Sequence, residues 1–156
     1  MDSVLHQHAT YLSPAQQHAI ISQILTSEGI SEVVRTIRGL LFSEVPLSAL
    51  LKLSGLETAA LEDKHLTCSQ AIFLYDYLSK KTSDVDLIRT GQLLKGTTCD
   101  RIHKMDDKFL IENFPFFKRN FHLLSPFQMN CLAWRFWDIL DSPNSTIPSV
   151  LMLALP

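Results

Sequence analysis

The chain has 156 residues, 46% of them hydrophobic and 19% charged. That is enough apolar material to bury a sizeable core and too little charge for a disordered segment. Fourteen basic and 16 acidic residues are mixed along the chain to a net charge of −2, and no basic block exceeds Lys80-Lys81 or Lys118-Arg119; this argues against a nucleic-acid footprint and against a basic helix lying on a membrane.

In chain order, Leu12-Ser13-Pro14 predicts a helix start. Ser13 can cap, Pro14 suits the first helical position, and Gln16 can reach back to the cap amide. This helix is expected from Pro14 to about Ser27, closing near Gly29. Ile30, Val33, Val34, Ile37, Leu40 and Leu41 then form one apolar stripe at helical spacing, which predicts a second helix running through to Leu41. Ser43–Pro46 breaks the chain. A short helix is expected from Leu47 to about Lys52, then a turn at Ser54-Gly55. Thr67 opens a helix through Leu78, and Ser83-Asp84 caps one over 84–94 that closes at Gly96. Thr97 or Thr98 starts a short helix through Cys99, Ile102 and Met105. Asp106-Asp107 opens the next, which Phe114-Pro115-Phe116-Phe117 is expected to end. Ser125-Pro126 begins the longest helix, to about Leu140. Asp141-Ser142-Pro143-Asn144 stops it, and a last helical turn is expected over Pro148–Leu155. No segment alternates over the length a strand needs.

One phrase recurs three times: Leu12-Ser13-Pro14-Ala15-Gln16, Leu66-Thr67-Cys68-Ser69-Gln70 and Leu124-Ser125-Pro126-Phe127-Gln128 all read Leu-[Ser/Thr]-x-x-Gln. Recurrence at near-constant spacing marks a repeated structural unit. A Leu-Leu pair also precedes the second copy (Leu40-Leu41) and the third (Leu93-Leu94). The reading is an all-α solenoid segment, armadillo-like, of six to nine short helices. Residues 1–10 are expected as a flexible N-terminal segment and 11–156 as the repeat domain, with units near 12–65, 66–123 and 124–156. Stacked helical repeats present surfaces to partners more than pockets for chemistry.

The candidate sites are sparse. His6-x-His8 has too few ligands for a metal, and His65, His103 and His122 have no motif spacing. Cys68, Cys99 and Cys131 carry no catalytic signature, and Cys131 lies on an apolar helix face as a small buried hydrophobe. A Cys99–Cys131 disulfide is the stronger reading, since each stands near a helix start in adjoining units. Glu62-Asp63 and Asp106-Asp107 suit dipole and capping roles. Phe114, Phe116, Phe117, Phe121, Phe127, Trp134, Phe136 and Trp137 form an aromatic group, read first as core packing and second as a binding hot spot. Asn144-Ser145-Thr146 is an N-glycosylation sequon. No catalytic residue, metal site or cofactor is expected. Met1–His6 lacks the basic and apolar regions of a signal peptide, and no run reaches the length of a membrane-spanning helix.

Four stretches, taken with their order and spacing, carry a resemblance: Leu12–Gln17, Ser69–Tyr75, Gly91–Cys99 and Leu123–Trp134. Over roughly residues 10–156 they resemble an internal part of members of the otoancorin, stereocilin and mesothelin family. Asn130-Cys131-Leu132-Ala133-Trp134 and the Gly91–Cys99 phrase are not generic helix patterns. The resemblance implies a helical, armadillo-like superhelix and a non-enzymatic role in cell–matrix adhesion. It further implies a glycoprotein of the inner ear, serving hearing. Such a protein attaches acellular gels such as the tectorial membrane to the apical surface of non-sensory epithelial cells. The implied partners are extracellular gel matrix proteins, with no nucleic acid and no direct membrane insertion by this segment. The implied location is extracellular, at the apical surface. Full-length relatives have a signal peptide and a GPI anchor signal, and neither is found in this chain. Cys99 and Cys131 fall inside the matching phrases. The alternative from another class is an intracellular helical scaffold binding peptides or helices along a groove.

Overall fold

The structure, a computed structural model, describes residues 11–141. The expected flexible segment 1–10, the helical turn over Pro148–Leu155 and the sequon at Asn144 lie outside the described residues. Among the described residues there are eight α-helices, four 3-10 turns and no strand. The chain divides into two compact units, Met1–Gly96 and Thr97–Pro156. This boundary falls inside the second of the three sequence units.

The first unit opens with α1 (Pro14–Glu28), capped by Ser13 and stopped at Gly29, whose φ of +84° few side chains tolerate. Next come α2 (Ile30–Thr36), a 3-10 turn over Leu40–Glu44 and α3 (Leu47–Leu50). A 3-10 turn over Thr58–Leu61 leads to α4 (Cys68–Ser79), α5 (Asp84–Ile88) and a 3-10 turn over Leu93–Gly96. The apolar stripe from Ile30 to Leu41 is therefore two elements and not one helix. The chain leaves the helix at Ile37 so that the Gly39 backbone can pair: its N–H donates to the Asp63 carbonyl at 2.7 Å and its carbonyl accepts from His65 N–H at 3.0 Å. Gly39 has φ +59°. Most of the stripe still points inward, with Val33, Val34, Ile37 and Leu41 buried, while Leu40 is 39% exposed.

The helix expected over 84–94 also breaks. Gly91 (φ +48°) sits so close to the Leu61 carbonyl that a Cβ there would lie 2.5 Å from its oxygen. A turn at this point lets Leu93 and Leu94 reach the core, and both are fully buried. Gly96 crosses the backbone of α4 even more closely, at a position where a Cβ would lie 2.1 Å from the Ala71 carbonyl oxygen.

The second unit contains α6 (Cys99–Lys104), capped by Thr98, α7 (Asp107–Arg119), a 3-10 turn over Phe121–Leu123 and α8 (Pro126–Asp141). The Phe114–Phe117 stretch does not end α7; the helix runs through Pro115. An interior proline costs about 3 kcal/mol. Phe114 and Phe117 are both buried, and burying each returns about 2–3 kcal/mol, enough to offset it. Phe114 meets Phe136 of α8 edge to face, with ring centroids 4.9 Å apart.

Candidate functional site

The recurring phrase is a structural device with two jobs. In all three copies the glutamine side-chain carbonyl accepts from the cap amide: Ser13 N–H to Gln16 Oε1 at 2.8 Å, Thr67 N–H to Gln70 Oε1 at 2.9 Å, and Ser125 N–H to Gln128 Oε1 at 2.9 Å. The hydroxyl answers by accepting from the glutamine backbone N–H, at 3.2, 3.1 and 3.2 Å. In the second and third copies the amide nitrogen is used as well. Gln70 Nε2 donates to the Phe42 and Val45 carbonyls at 2.8 and 2.9 Å, and Gln128 Nε2 donates to the Thr97 carbonyl at 2.9 Å. Both glutamines are buried, whereas Gln16 is exposed. The capping pattern was readable in sequence; the second bond was not, because it reaches 25–31 residues back.

Two cations missed by sequence reasoning do similar work. Lys64 is buried, donates from Nζ to the Ile37 carbonyl at 2.5 Å, and lies 5.0 Å from the centre of the Phe42 ring. Burial pushes its pKa below the ordinary lysine value, partly countered by Asp63 beside it. Arg135 of α8 donates to the Ile102 and Met105 carbonyls at 3.3 and 2.6 Å and to Asp107 Oδ1 at 2.8 Å. It thereby closes the end of α6, where carbonyls otherwise lack partners. No local pattern marks either residue.

Cys99, the first residue of α6, and Cys131, one turn into α8, are joined as a disulfide with Cα atoms 5.6 Å apart, within the usual range. Cys68 is a free, exposed thiol. The acidic pairs are not alike. Asp63 contacts Arg38 and Lys64. Asp107 pairs with Arg135, while Asp106 stands at the cap of α7 without making a side-chain capping bond. Among the described residues no group of three or more His, Cys, Asp or Glu could hold a metal ion. None of the described helices is long and apolar enough to cross a membrane.

The aromatic group separates into three, with Phe116 and Phe121 half-buried. Phe114, Phe117 and Phe136 are core. Phe127, Trp134 and Trp137 are exposed, the last two by 69% and 44%. Trp134 and Trp137 line a shallow groove along the outside of α8, with Asn130, Ala133 and Asp141. Tryptophan is among the residues enriched at interface hot spots, so this groove is a candidate interaction surface within the second unit.

The chain is 41% identical over 155 residues to otoancorin of Homo sapiens, covering 99% of this chain. It carries an otoancorin-like sequence. Otoancorin of Mus musculus is 40% identical over 159 residues, again covering 99% of this chain. The chain spans 13% of the length of these two otoancorins. No protein-family model matches it, and no solved structure does. Cys99, Cys131, Trp134 and two of the three capping phrases lie within stretches that carry the resemblance to the otoancorin family.

Proposed function

We propose that this chain is a non-enzymatic helical segment of an extracellular adhesion protein of the otoancorin type. In this reading the longer protein is held by a GPI anchor at the apical surface of non-sensory epithelial cells in the inner ear. There it attaches the overlying acellular gel, the tectorial membrane type of matrix, and so serves hearing. The observation that carries the reading is the similarity to otoancorin across 99% of the chain. The Cys99–Cys131 pairing fits it, since disulfides persist in secreted proteins and are rare in the cytosol. Contact would be distributed over helix surfaces, in a superhelical stack of units near 12–65, 66–123 and 124–156, with no cofactor. Asn144 would carry a glycan.

The test is co-sedimentation of the purified longer protein, disulfides intact, with tectorial-matrix material. Saturable binding is expected. Absence of binding under conditions where the protein is folded and glycosylated contradicts the adhesion role.

A further inference from the structure

The sequence has two pairs of adjacent basic residues, Lys80-Lys81 and Lys118-Arg119, and the fold presents them differently. Lys118 and Arg119 lie in the last turn of α7, so their peptide groups belong to a helix. Lys80 and Lys81 stand past the end of α4, in the turn that leads to the Ser83 cap of α5. Both lysines are exposed, and so is Ser83. Among the described residues neither ammonium group takes part in an ion pair or a side-chain hydrogen bond. The acids that follow are engaged elsewhere: Asp84 accepts from the Tyr75 hydroxyl at 2.7 Å and Asp86 from the Ser83 hydroxyl at 2.9 Å. The backbone of the turn hangs on one carbonyl, since Lys81 N–H and Thr82 N–H both donate to Leu78 at 3.0 Å. Exposed tips of small and polar residues are where proteolytic nicking concentrates.

We propose that Lys80-Lys81 is a cleavage site for an endoprotease with acidic pockets for two successive basic side chains. Hydrolysis adds one water across the Lys81–Thr82 amide, leaving a carboxylate on Lys81 and an ammonium group on Thr82. The product is a two-chain first unit that stays assembled. The Tyr75–Asp84 bond spans the cut, α4 and α5 both pack on the turn Leu93–Gly96, and Leu74, Leu78, Leu87 and Ile88 are buried. The Cys99–Cys131 disulfide lies wholly downstream and Cys68 is free, so no covalent link joins the two pieces. The cut weakens the unit all the same. It places a negative charge at the C-terminal end of α4 and a positive charge just before α5, each opposed by the helix dipole. The proposal stands apart from the adhesion reading, because it rests on the geometry of the turn.

The test is digestion of the folded full chain with a paired-basic-specific serine endoprotease of the subtilisin type, the fragments being identified by mass spectrometry. The first cut is expected after Lys81, at least about tenfold faster than any cut after Arg119, since native-state cleavage follows the free energy of local opening. Lys80→Gln with Lys81→Gln should abolish this cut while the circular dichroism and melting temperature of the uncut protein stay those of the parent. Lys118→Gln with Arg119→Gln should leave its rate unchanged. The nicked product should elute with the intact chain in size exclusion, separate into two fragments in urea without reductant, and melt at a lower temperature. A first cut after Arg119 overturns the proposal, as does equal cutting of the parent and the Lys80, Lys81 variant. A chain left intact by a digestion that fully cleaves a free peptide of residues 76–86 also overturns it. Fragments that part in size exclusion overturn the assembled two-chain product.

Discussion

At the scale of single residues, the same amino acid does unequal work in three places. Gln70 and Gln128 each join a helix cap to a distant carbonyl inside the protein, whereas Gln16 makes only the cap bond among the described residues. Leaving a buried carbonyl without a donor costs about 1–3 kcal/mol; losing one arm of an exposed cap costs about 0.5–1 kcal/mol. Urea denaturation should therefore rank Gln70→Ala and Gln128→Ala well above Gln16→Ala, and equal losses would contradict the second bond. His65 gives a pH dependence. Burial lowers its pKa below 6.5, helped by the positive charge of Lys95, and its Nδ1 is buried without a partner. Above pH 6.5 both folded and unfolded states are neutral and the full stability is present. As pH falls below 6.5 the unfolded chain takes up the proton first, so stability is lost until the lower folded value is passed. His65→Leu should remove this part of the loss between pH 6.5 and 5, read as melting temperature against pH. Parallel curves for the two proteins would contradict it.

At the scale of elements, helix starts were legible and several helix ends were not. A cap is written in adjacent letters, so Ser13, Thr67, Ser83 and Ser125 could be placed from sequence alone, and the fourth narrowed to Thr97 or Thr98, of which Thr98 is the cap. The ends of α2 and α5 depend on what the glycine backbone meets elsewhere: Gly39 on Asp63 and His65, Gly91 on Leu61. The aromatic group could be found but not divided, because the helix register that buries Phe136 and exposes Trp134 is set by the packing of α7. Lys64 and Arg135 were invisible since their partners are carbonyls, which every residue has. Gly96 is the sharpest test of element packing. A methyl group there collides with the Ala71 carbonyl. Overpacking against backbone costs on the order of 3 kcal/mol. Gly96→Ala should cost at least that much in thermal unfolding, and a loss under about 1 kcal/mol would show that the turn over Leu93–Gly96 does not lie this close to α4.

At the scale of the whole molecule, the disulfide joins α6 to α8 across 32 residues. Closing a loop of that length stabilises by about 3–4 kcal/mol on the chain-entropy model. Reduction should lower the stability of the second unit by roughly that amount, measured by hydrogen exchange of α6 and α8, and leave α1 and α4 protected. Uniform loss of protection would contradict a localised effect. The adhesion role is the claim on which the rest of the functional reading depends. The most direct measurement is retention of tectorial-membrane fragments by cells displaying the longer protein, with and without residues 11–141. Strong retention is expected with the intact protein and a clear fall when the segment is removed. Equal retention by the two cell lines, at matched surface display, would contradict it.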